Sequence, residues 1–84
     1  MAAVKTVKLS RHAVLSLRAA DGRTREHLKE AIRHLASAPS LGKDVHIGPR
    51  GLRSYETGGY CILHRLRRGA IEIVSIYRRP TLFS

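Results

Sequence analysis

The sequence is poor in acidic side chains and in cysteine. Its 84 residues contain 6 Asp and Glu against 16 Lys and Arg, which gives a formal net charge of +10 at pH 7. The one cysteine, Cys61, cannot form an intramolecular disulfide, and no Cys/His cluster has the spacing of metal ligands. We therefore expect a cytoplasmic protein that carries neither a structural metal nor another cofactor.

Long apolar runs are also missing. No stretch approaches the ~20 apolar residues that a membrane-spanning helix needs, and the N-terminus alternates charged and apolar residues where a signal peptide has an apolar core. A chain of 84 residues suits one hydrophobic core. The sequence thus predicts a soluble single domain over residues 1–84 that has no membrane partner.

The local signatures of common enzyme classes do not occur: there is no Walker loop, no H-E-x-x-H and no G-x-S-x-G. What the chain has is arginine, which supplies twelve of the 16 cations. A planar guanidinium binds phosphate in a bidentate manner, so RNA, another polyanion or an acidic protein is the expected partner. A high isoelectric point alone also fits a solvated basic surface. The positions of the arginines have to distinguish such a surface from a binding site.

The first half of the chain predicts a strand and two helices. Alternation over residues 4–9 indicates an opening strand. Ser10 is suited to cap a short helix that ends at Asp21-Gly22, and Thr24 to cap a second helix that ends at Pro39. In the second helix the apolar residues recur at helical spacing: Leu28, Ala31, Ile32, Leu35 and Ala36. We expect a helical hairpin whose apolar stripe is covered by a sheet.

The second half predicts three antiparallel strands after a loop rich in glycine. The loop covers residues 40–51, the strands cover residues 52–56, 60–66 and 70–77, and the turns are Thr57-Gly58-Gly59 and Arg68-Gly69. The fold class is therefore α+β, with chain order β-α-α-β-β-β and an antiparallel sheet that carries the two-helix hairpin on one face.

The last strand carries apolar residues on both faces, so it should be internal in the sheet. Simple alternation places Ile71, Ile73 and Ser75 on one face and Val74 and Ile76 on the other.

The arginines of the second half are candidates for a common sheet surface. Cleaving RNA without a metal requires a base for the 2′-hydroxyl, cations for the pentavalent phosphate and an acid for the leaving oxygen. Arg79, Arg78 and Arg53 are candidates for phosphate binding and transition-state stabilisation, and Arg50 and Arg65 for positioning the substrate. For any one of these residues, a solvated charge at a strand edge is at least as good an interpretation, except for Arg79, where the residues that follow favour the functional one.

Proton transfer would fall to a histidine or a tyrosine. His64 shares the strand parity of Tyr60 and Ile62, so a buried histidine is its simpler interpretation. His46 lies in the glycine-rich loop and is a candidate for contact with the substrate, although an ordinary exposed loop histidine is its simpler interpretation. Tyr77 precedes the two arginines, where its hydroxyl could transfer a proton or its ring could stack on a base.

Three runs in the final strands resemble the RelE/ParE superfamily of bacterial toxins. The runs are Gly59-Tyr60-Cys61-Ile62-Leu63-His64-Arg65-Leu66, Ile71-Glu72-Ile73-Val74-Ser75-Ile76 and Arg78-Arg79-Pro80-Thr81-Leu82-Phe83. The resemblance implies the toxin of a type II toxin–antitoxin system, a RelE-like ribonuclease that cleaves mRNA, inhibits translation and is held inactive by an acidic antitoxin. It also implies that Arg79 is the arginine that contacts the scissile phosphate.

The sequence departs from RelE-type enzymes at several site positions. Phe83 replaces a tyrosine implicated in activating the 2′-hydroxyl, Cys61 replaces an arginine, and Arg78 replaces a histidine. Ser54 and Glu56 fall near positions that are basic in those enzymes. The departures imply a site rebuilt from other residues or a weak nuclease. A ParE-like inhibitor of DNA gyrase fits the pattern about as well, and a non-toxic basic RNA-binding module is a third possibility.

Overall fold

The computed structural model describes residues 6–46, 48 and 50–79. The elements in chain order are β1 (Thr6–Leu9), α1 (Arg11–Ala19), α2 (Gly22–Ser37), β2 (Lys43–Asp44), β3 (Arg53–Thr57), β4 (Tyr60–Arg67) and β5 (Ala70–Arg78). The predicted α+β class and the order of helices and main strands are confirmed, and the two-residue β2 is an addition within the predicted loop. Val4 and Phe83 lie outside the described residues.

The five strands form one sheet in the order β1-β5-β4-β3-β2. β5 is internal, as its apolar content predicts. The sheet is mixed, because β1 runs parallel to β5 whereas the other neighbours are antiparallel. A hairpin enforces antiparallel pairing, but the two helices separate β1 from the later strands and leave its direction free.

Both helices cover the same face of the sheet. The apolar stripe of α2 and Ala13 and Leu17 of α1 pack against buried residues of β4 and β5: Ile62, Ile71, Ile73 and Ile76. Every predicted stripe residue of α2 is buried. No helix of the described segments covers the opposite face. We call that surface the open face, and the strand registers place these residues on it: Ser54, Glu56, Cys61, Leu63, Arg65, Glu72 and Tyr77.

A β-bulge interrupts the pairing of β4 with β5. Leu63 is opposite Ser75, but the next residue, His64, is opposite Ile73, so Val74 has no partner on β4. One extra residue in a strand reverses the alternation of side chains beyond it.

The bulge changes which residues of β5 reach the core. Ile76 is buried in the same cluster as Ile71 and Ile73. The prediction that Ile76 faces away from them is therefore wrong, because it assumed unbroken alternation. The bulge also offers the Val74 carbonyl to α1, and Ser10 Oγ donates a hydrogen bond to it at 2.7 Å.

Both helices begin at a capping side chain. Ser10 Oγ accepts a hydrogen bond from the Ala13 amide at 3.0 Å, as predicted for α1. The cap of α2 is Asp21, whose Oδ1 accepts from the Thr24 amide at 2.8 Å. The prediction of Thr24 as the cap is wrong because this residue lies three positions inside the helix. The bond from the Thr24 amide lowers the pKa of the Asp21 carboxyl.

The described residues form neither a membrane-spanning helix nor a metal-binding cluster. None of their helices is long and apolar enough to cross a membrane. Across residues 6–46, 48 and 50–79, no group of three or more His, Cys, Asp or Glu side chains is arranged to hold a metal ion.

Candidate functional site

One row of side chains crosses three strands on the open face. Glu56 of β3 is opposite Cys61 of β4, and Cys61 is opposite Tyr77 of β5. Arg79 follows β5 directly, and its Nε lies 3.2 Å from Glu56 Oε2. We call Glu56, Cys61, Tyr77 and Arg79 the Arg79 cluster.

The backbone fixes Arg79 although its side chain is exposed. Its amide donates a hydrogen bond to the Gly59 carbonyl at 2.8 Å. Gly58 and Gly59 are the two residues of the β3–β4 turn, with φ values of 55° and 82° that L side chains adopt at a cost. The tight turn and this hydrogen bond therefore set the distance between Arg79 and the end of β3.

The Arg79–Glu56 ion pair is open to solvent. The side chains are 52% and 54% exposed, so the pair stabilises the fold by only about 0 to 1 kcal/mol. A phosphodiester can form two charge-assisted hydrogen bonds with a guanidinium and can replace the carboxylate there. Replacement would leave a cation on the phosphate and a free carboxylate beside it.

Tyr77 contributes a neutral hydroxyl to the same row. Its side chain is 42% exposed. A hydrogen bond with the Cys61 thiol, followed by partial burial and the nearby Glu56 charge, raises the pKa of Tyr77 above its ordinary value of 10.0. The phenol is protonated at neutral pH and can donate a proton or a hydrogen bond, but it cannot serve as a base there.

Arg53 holds a loop in place. Its Nη1 lies 2.5 Å from Asp44 Oδ1, and its Nη2 donates to the carbonyls of Ser40 and Gly42 at 2.7 and 2.9 Å. Its Nε donates to the Leu41 carbonyl at 3.4 Å. These bonds fasten the segment before β2 to β3 and give Arg53 a structural role, while its contact with phosphate stays a prediction.

His64 is fully buried on the covered face, beside Ile62 and opposite Arg53. Its Nδ1 lies 3.3 Å from the Ile62 carbonyl, and its Nε2 has no hydrogen-bond partner within the described segments. Burial lowers the pKa of His64, so the ring is neutral at pH 7. Because no substrate reaches this position, His64 does not fit the proton-transfer role considered for it.

Arg65 and Arg78 stand apart from the Arg79 cluster. Arg65 is on the open face but lies four residues along β4 from Cys61, roughly 13 Å away. Arg78 is opposite Tyr60, and its parity directs it toward the covered side at the exposed end of β5. The predicted arginines therefore do not converge on one point.

Arg50 and His46 belong to another surface. They line an open pocket of about 400 Å³ in the loop between β2 and β3, with Asp44 among the other lining residues. His46 is exposed, as its position in the sequence predicts. The pocket lies beside the first residues of β3, whereas Glu56 lies near the last.

Glu56 is a possible participant in the site that the sequence alone does not reveal. Its acidic side chain was a departure from a basic position, but the structure places it against Arg79. The length of the turn between β3 and β4 is the feature of the sequence that determines the position of Glu56. A two-residue Gly58-Gly59 turn sets Glu56 opposite Cys61, whereas the three-residue turn predicted from the sequence shifts the register by one.

Three solved structures show the same fold. The E. coli RelE toxin is 14% identical, covers 92% of this chain and 86% of its own, and superposes with a TM-score of 0.77. The RelBE2 toxin–antitoxin complex from Mycobacterium tuberculosis contains a chain that is 23% identical, with 92% of this chain and 100% of that chain covered, and a TM-score of 0.80. The chromosomal ParDE system from P. aeruginosa contains a chain that is 19% identical, with 92% of this chain and 98% of that chain covered, and a TM-score of 0.72.

No protein-family model matches the sequence, and the comparison with curated proteins finds no significant match. At identities below 25%, the structural similarity establishes the fold. The chain has the RelE/ParE-like toxin fold that the motifs of its final strands predict.

Proposed function

We propose that this protein is the toxin of a type II toxin–antitoxin pair and that it cleaves mRNA without a metal ion, which blocks translation. The observation that carries the proposal is the Arg79 cluster, where a guanidinium, a carboxylate and a neutral phenol share one exposed row of the sheet. The fold shared with the RelE toxin supports the assignment.

Arg79, Glu56 and Tyr77 each have a place in the reaction. The Arg79 guanidinium leaves Glu56 and binds the scissile phosphate. The Glu56 carboxylate takes the proton of the 2′-hydroxyl, and the 2′-oxygen attacks phosphorus. As the bond from phosphorus to the 5′-oxygen breaks, the Tyr77 phenol gives its proton to that oxygen. The products are a 2′,3′-cyclic phosphate and a 5′-hydroxyl, and water returns Glu56 and Tyr77 to their starting protonation states.

Arg79 is expected to supply the largest single contribution. Negative charge accumulates on the equatorial oxygens as phosphorus becomes pentavalent, and a positioned donor stabilises that charge more than it stabilises the ground state. Loss of one such donor typically lowers the rate by about 100-fold to 1,000-fold.

The experiment is cleavage of RNA by the purified protein in excess EDTA, with product ends identified chemically. The wild type should release cyclic phosphate ends, and Arg79→Ala should be slower by about 100-fold or more. Arg23→Ala removes the same charge from α2 on the covered side and should cleave at the wild-type rate. A folded Arg79→Ala protein that cleaves as fast as the wild type would overturn the proposal.

The similarity to the ParDE system favours a second candidate, a gyrase inhibitor with no catalytic chemistry. A supercoiling assay distinguishes the two. Protein that blocks supercoiling and leaves RNA intact would be ParE-like, and protein that binds RNA without either effect would be an RNA-binding module.

An antitoxin partner follows from the same proposal. The similar structures include toxins in complex with RelB antitoxins from several organisms. With a net charge of +10, this chain would associate fastest with an acidic antitoxin, because complementary charge steers the encounter.

A further inference from the structure

A second basic group lies at the opposite end of the open face from the Arg79 cluster. It surrounds the turn between β4 and β5 and draws residues from three strands. Its members, which we call the hairpin cluster, are Lys8, Arg65, Arg67, Arg68 and Glu72.

Glu72 lies at the centre of the hairpin cluster. It is opposite Lys8 on β1 and Arg65 on β4, and Arg65 Nε lies 2.5 Å from its Oε1. The hydrogen bond from Arg65, followed by the charges of Arg65, Arg67 and Lys8, lowers the pKa of the Glu72 carboxyl. With Arg68 included, four cations surround one carboxylate, so most of the positive charge is uncompensated within the cluster.

The cluster is concave. Lys8, Arg67, Arg68 and Glu72 line an open pocket of about 170 Å³. Cations from β1, β4 and the turn therefore face a common volume that is open to solvent. A tetrahedral anion can accept hydrogen bonds from several directions in such a pocket, which suits a phosphate group.

The backbone of Arg68 gives an independent indication of function. Arg68 has φ of 51° and is the one non-glycine residue with positive φ in the described segments. It forms the two-residue turn with Gly69, whose φ is 75°. Asn, Asp and Gly occupy the first position of such turns with least strain, whereas arginine is disfavoured there. A strained residue where an easier one is available points to a requirement for its side chain.

We infer that the hairpin cluster binds a second phosphate of the RNA backbone, at a distance from the phosphate held by Arg79. The inference rests on the proposed function. Glu72 lies on β5 and Arg79 follows the end of that strand seven residues later, a span of roughly 23 Å. An extended RNA strand along the open face would therefore contact both clusters with nucleotides several positions apart. The common face of the two clusters favours RNA over an acidic peptide as the ligand.

The test uses the full chain and a 2′-O-methylated RNA of about 12 nucleotides, which lacks the nucleophilic hydroxyl and is long enough for a single-strand binding site. Affinity is measured over a salt series, and thermal stability is measured in parallel. Arg68→Asn removes the cation and relieves the turn. We expect severalfold weaker binding, a salt slope lower by about 0.7 per lost phosphate contact, and a higher melting temperature.

Weaker RNA binding together with a higher melting temperature in Arg68→Asn is the diagnostic result. If Arg68 served only the fold, its replacement would lower the melting temperature and leave RNA binding unchanged. Arg68→Lys keeps both the charge and the strained turn and should retain the wild-type salt slope. Arg23→Asn removes one charge from α2 and should also leave the slope unchanged. The loss caused by Arg68→Asn should be larger for the long RNA than for a dinucleotide, which cannot reach both clusters.

Three results would overturn the inference. The first is that Arg68→Asn and Arg67→Gln both bind the long RNA with the affinity and the salt slope of the wild type. The second is that these variants lose affinity only for an acidic peptide such as polyglutamate, which would make the hairpin cluster a protein-binding surface. A wild-type protein that neither binds nor cleaves RNA would overturn the proposed function as well, whereas the first two results leave that function intact.

Discussion

Arg79 and Glu56 form an exposed ion pair on the open face, with 3.2 Å between Nε and Oε2. The cation proposed to bind phosphate and the carboxylate proposed to accept a proton thus occupy each other in the unbound protein. Since such a pair is worth about 1 kcal/mol at most, RNA can separate it at little cost. Binding and proton acceptance are therefore coupled through one exchange of partners.

Glu56→Gln should separate these two effects. Removing the competing carboxylate frees Arg79, so affinity for uncleavable RNA should rise severalfold. Removing the proton acceptor should lower kcat by about 100-fold to 10,000-fold. Single-turnover cleavage and equilibrium binding measured on the same preparation give both quantities. Glu30→Gln, on the exposed surface of α2, is the matched control. Unchanged kcat in Glu56→Gln would exclude Glu56 as the base.

Tyr77→Phe should lower kcat by about 100-fold, because the leaving oxygen loses its proton donor. The raised pKa of Tyr77 gives the sign of the pH effect: the phenol stays protonated below it, so the wild-type rate should fall only as pH rises beyond the ordinary value of 10.0. Cys61→Ala removes the main cause of the shift and should move this decline to lower pH. Wild-type cleavage by Tyr77→Phe would contradict the assignment.

His64 should make stability depend on pH. Its pKa is lowered in the folded state. Below the ordinary value of 6.5, His64 therefore binds a proton in the unfolded chain but not in the folded protein. Stability is therefore complete above that value and falls as pH decreases toward the folded pKa, by up to about 1.4 kcal/mol per pH unit. Urea unfolding of the wild type and of His64→Leu should show a shallower pH dependence in the variant. Equal slopes would show that His64 keeps its ordinary pKa.

Arg53→Met should lower the free energy of unfolding by about 2 kcal/mol, because Asp44 and the carbonyls of the preceding segment lose a charged donor. Cleavage per folded molecule should change far less than in Arg79→Ala. Chemical denaturation and activity are measured together. A large loss of kcat at unchanged stability would restore Arg53 to the candidate site.

The product of the adjacent gene should be acidic and should inhibit RNA binding. Its association rate should fall as salt rises and the screening length shrinks toward about 8 Å at physiological ionic strength. Stopped-flow association over a salt series, with competition by RNA, measures both effects. A basic product, or one that binds while RNA binding persists, would remove the main support for a toxin–antitoxin pair.

The features that the sequence predicted correctly depend on local pattern. The helical spacing of Leu28, Ile32 and Leu35 identified the buried stripe of α2, and Ser10 identified the start of α1. A side-chain pattern with period 3.6 is set within a few residues, and so is a cap. These features need no knowledge of the rest of the chain.

Apart from the cap of α2, which lies three residues before the predicted Thr24, the errors concern pairing between distant residues. The bulge at Val74 moved Ile76 into the core, and the register of β3 brought Glu56 to Arg79. Arg53 is indistinguishable in sequence from an arginine that binds phosphate, yet its partners are carbonyls more than ten residues away along the chain. Register and distant hydrogen bonds are properties of the assembled sheet, so local pattern does not determine them.

The parallel pairing of β1 with β5 has a consequence for the order of events during translation. Thr6 is paired with Ala70, and Ser10 donates to the Val74 carbonyl across 64 positions of sequence. Contacts this distant delay folding, because the first strand made must wait for the last described one. A nascent chain that ends at β4 has no partner for β1 and no Tyr77 or Arg79. Both the β1 edge of the sheet and the Arg79 cluster are therefore complete only after β5 and the residue that follows it have been synthesised.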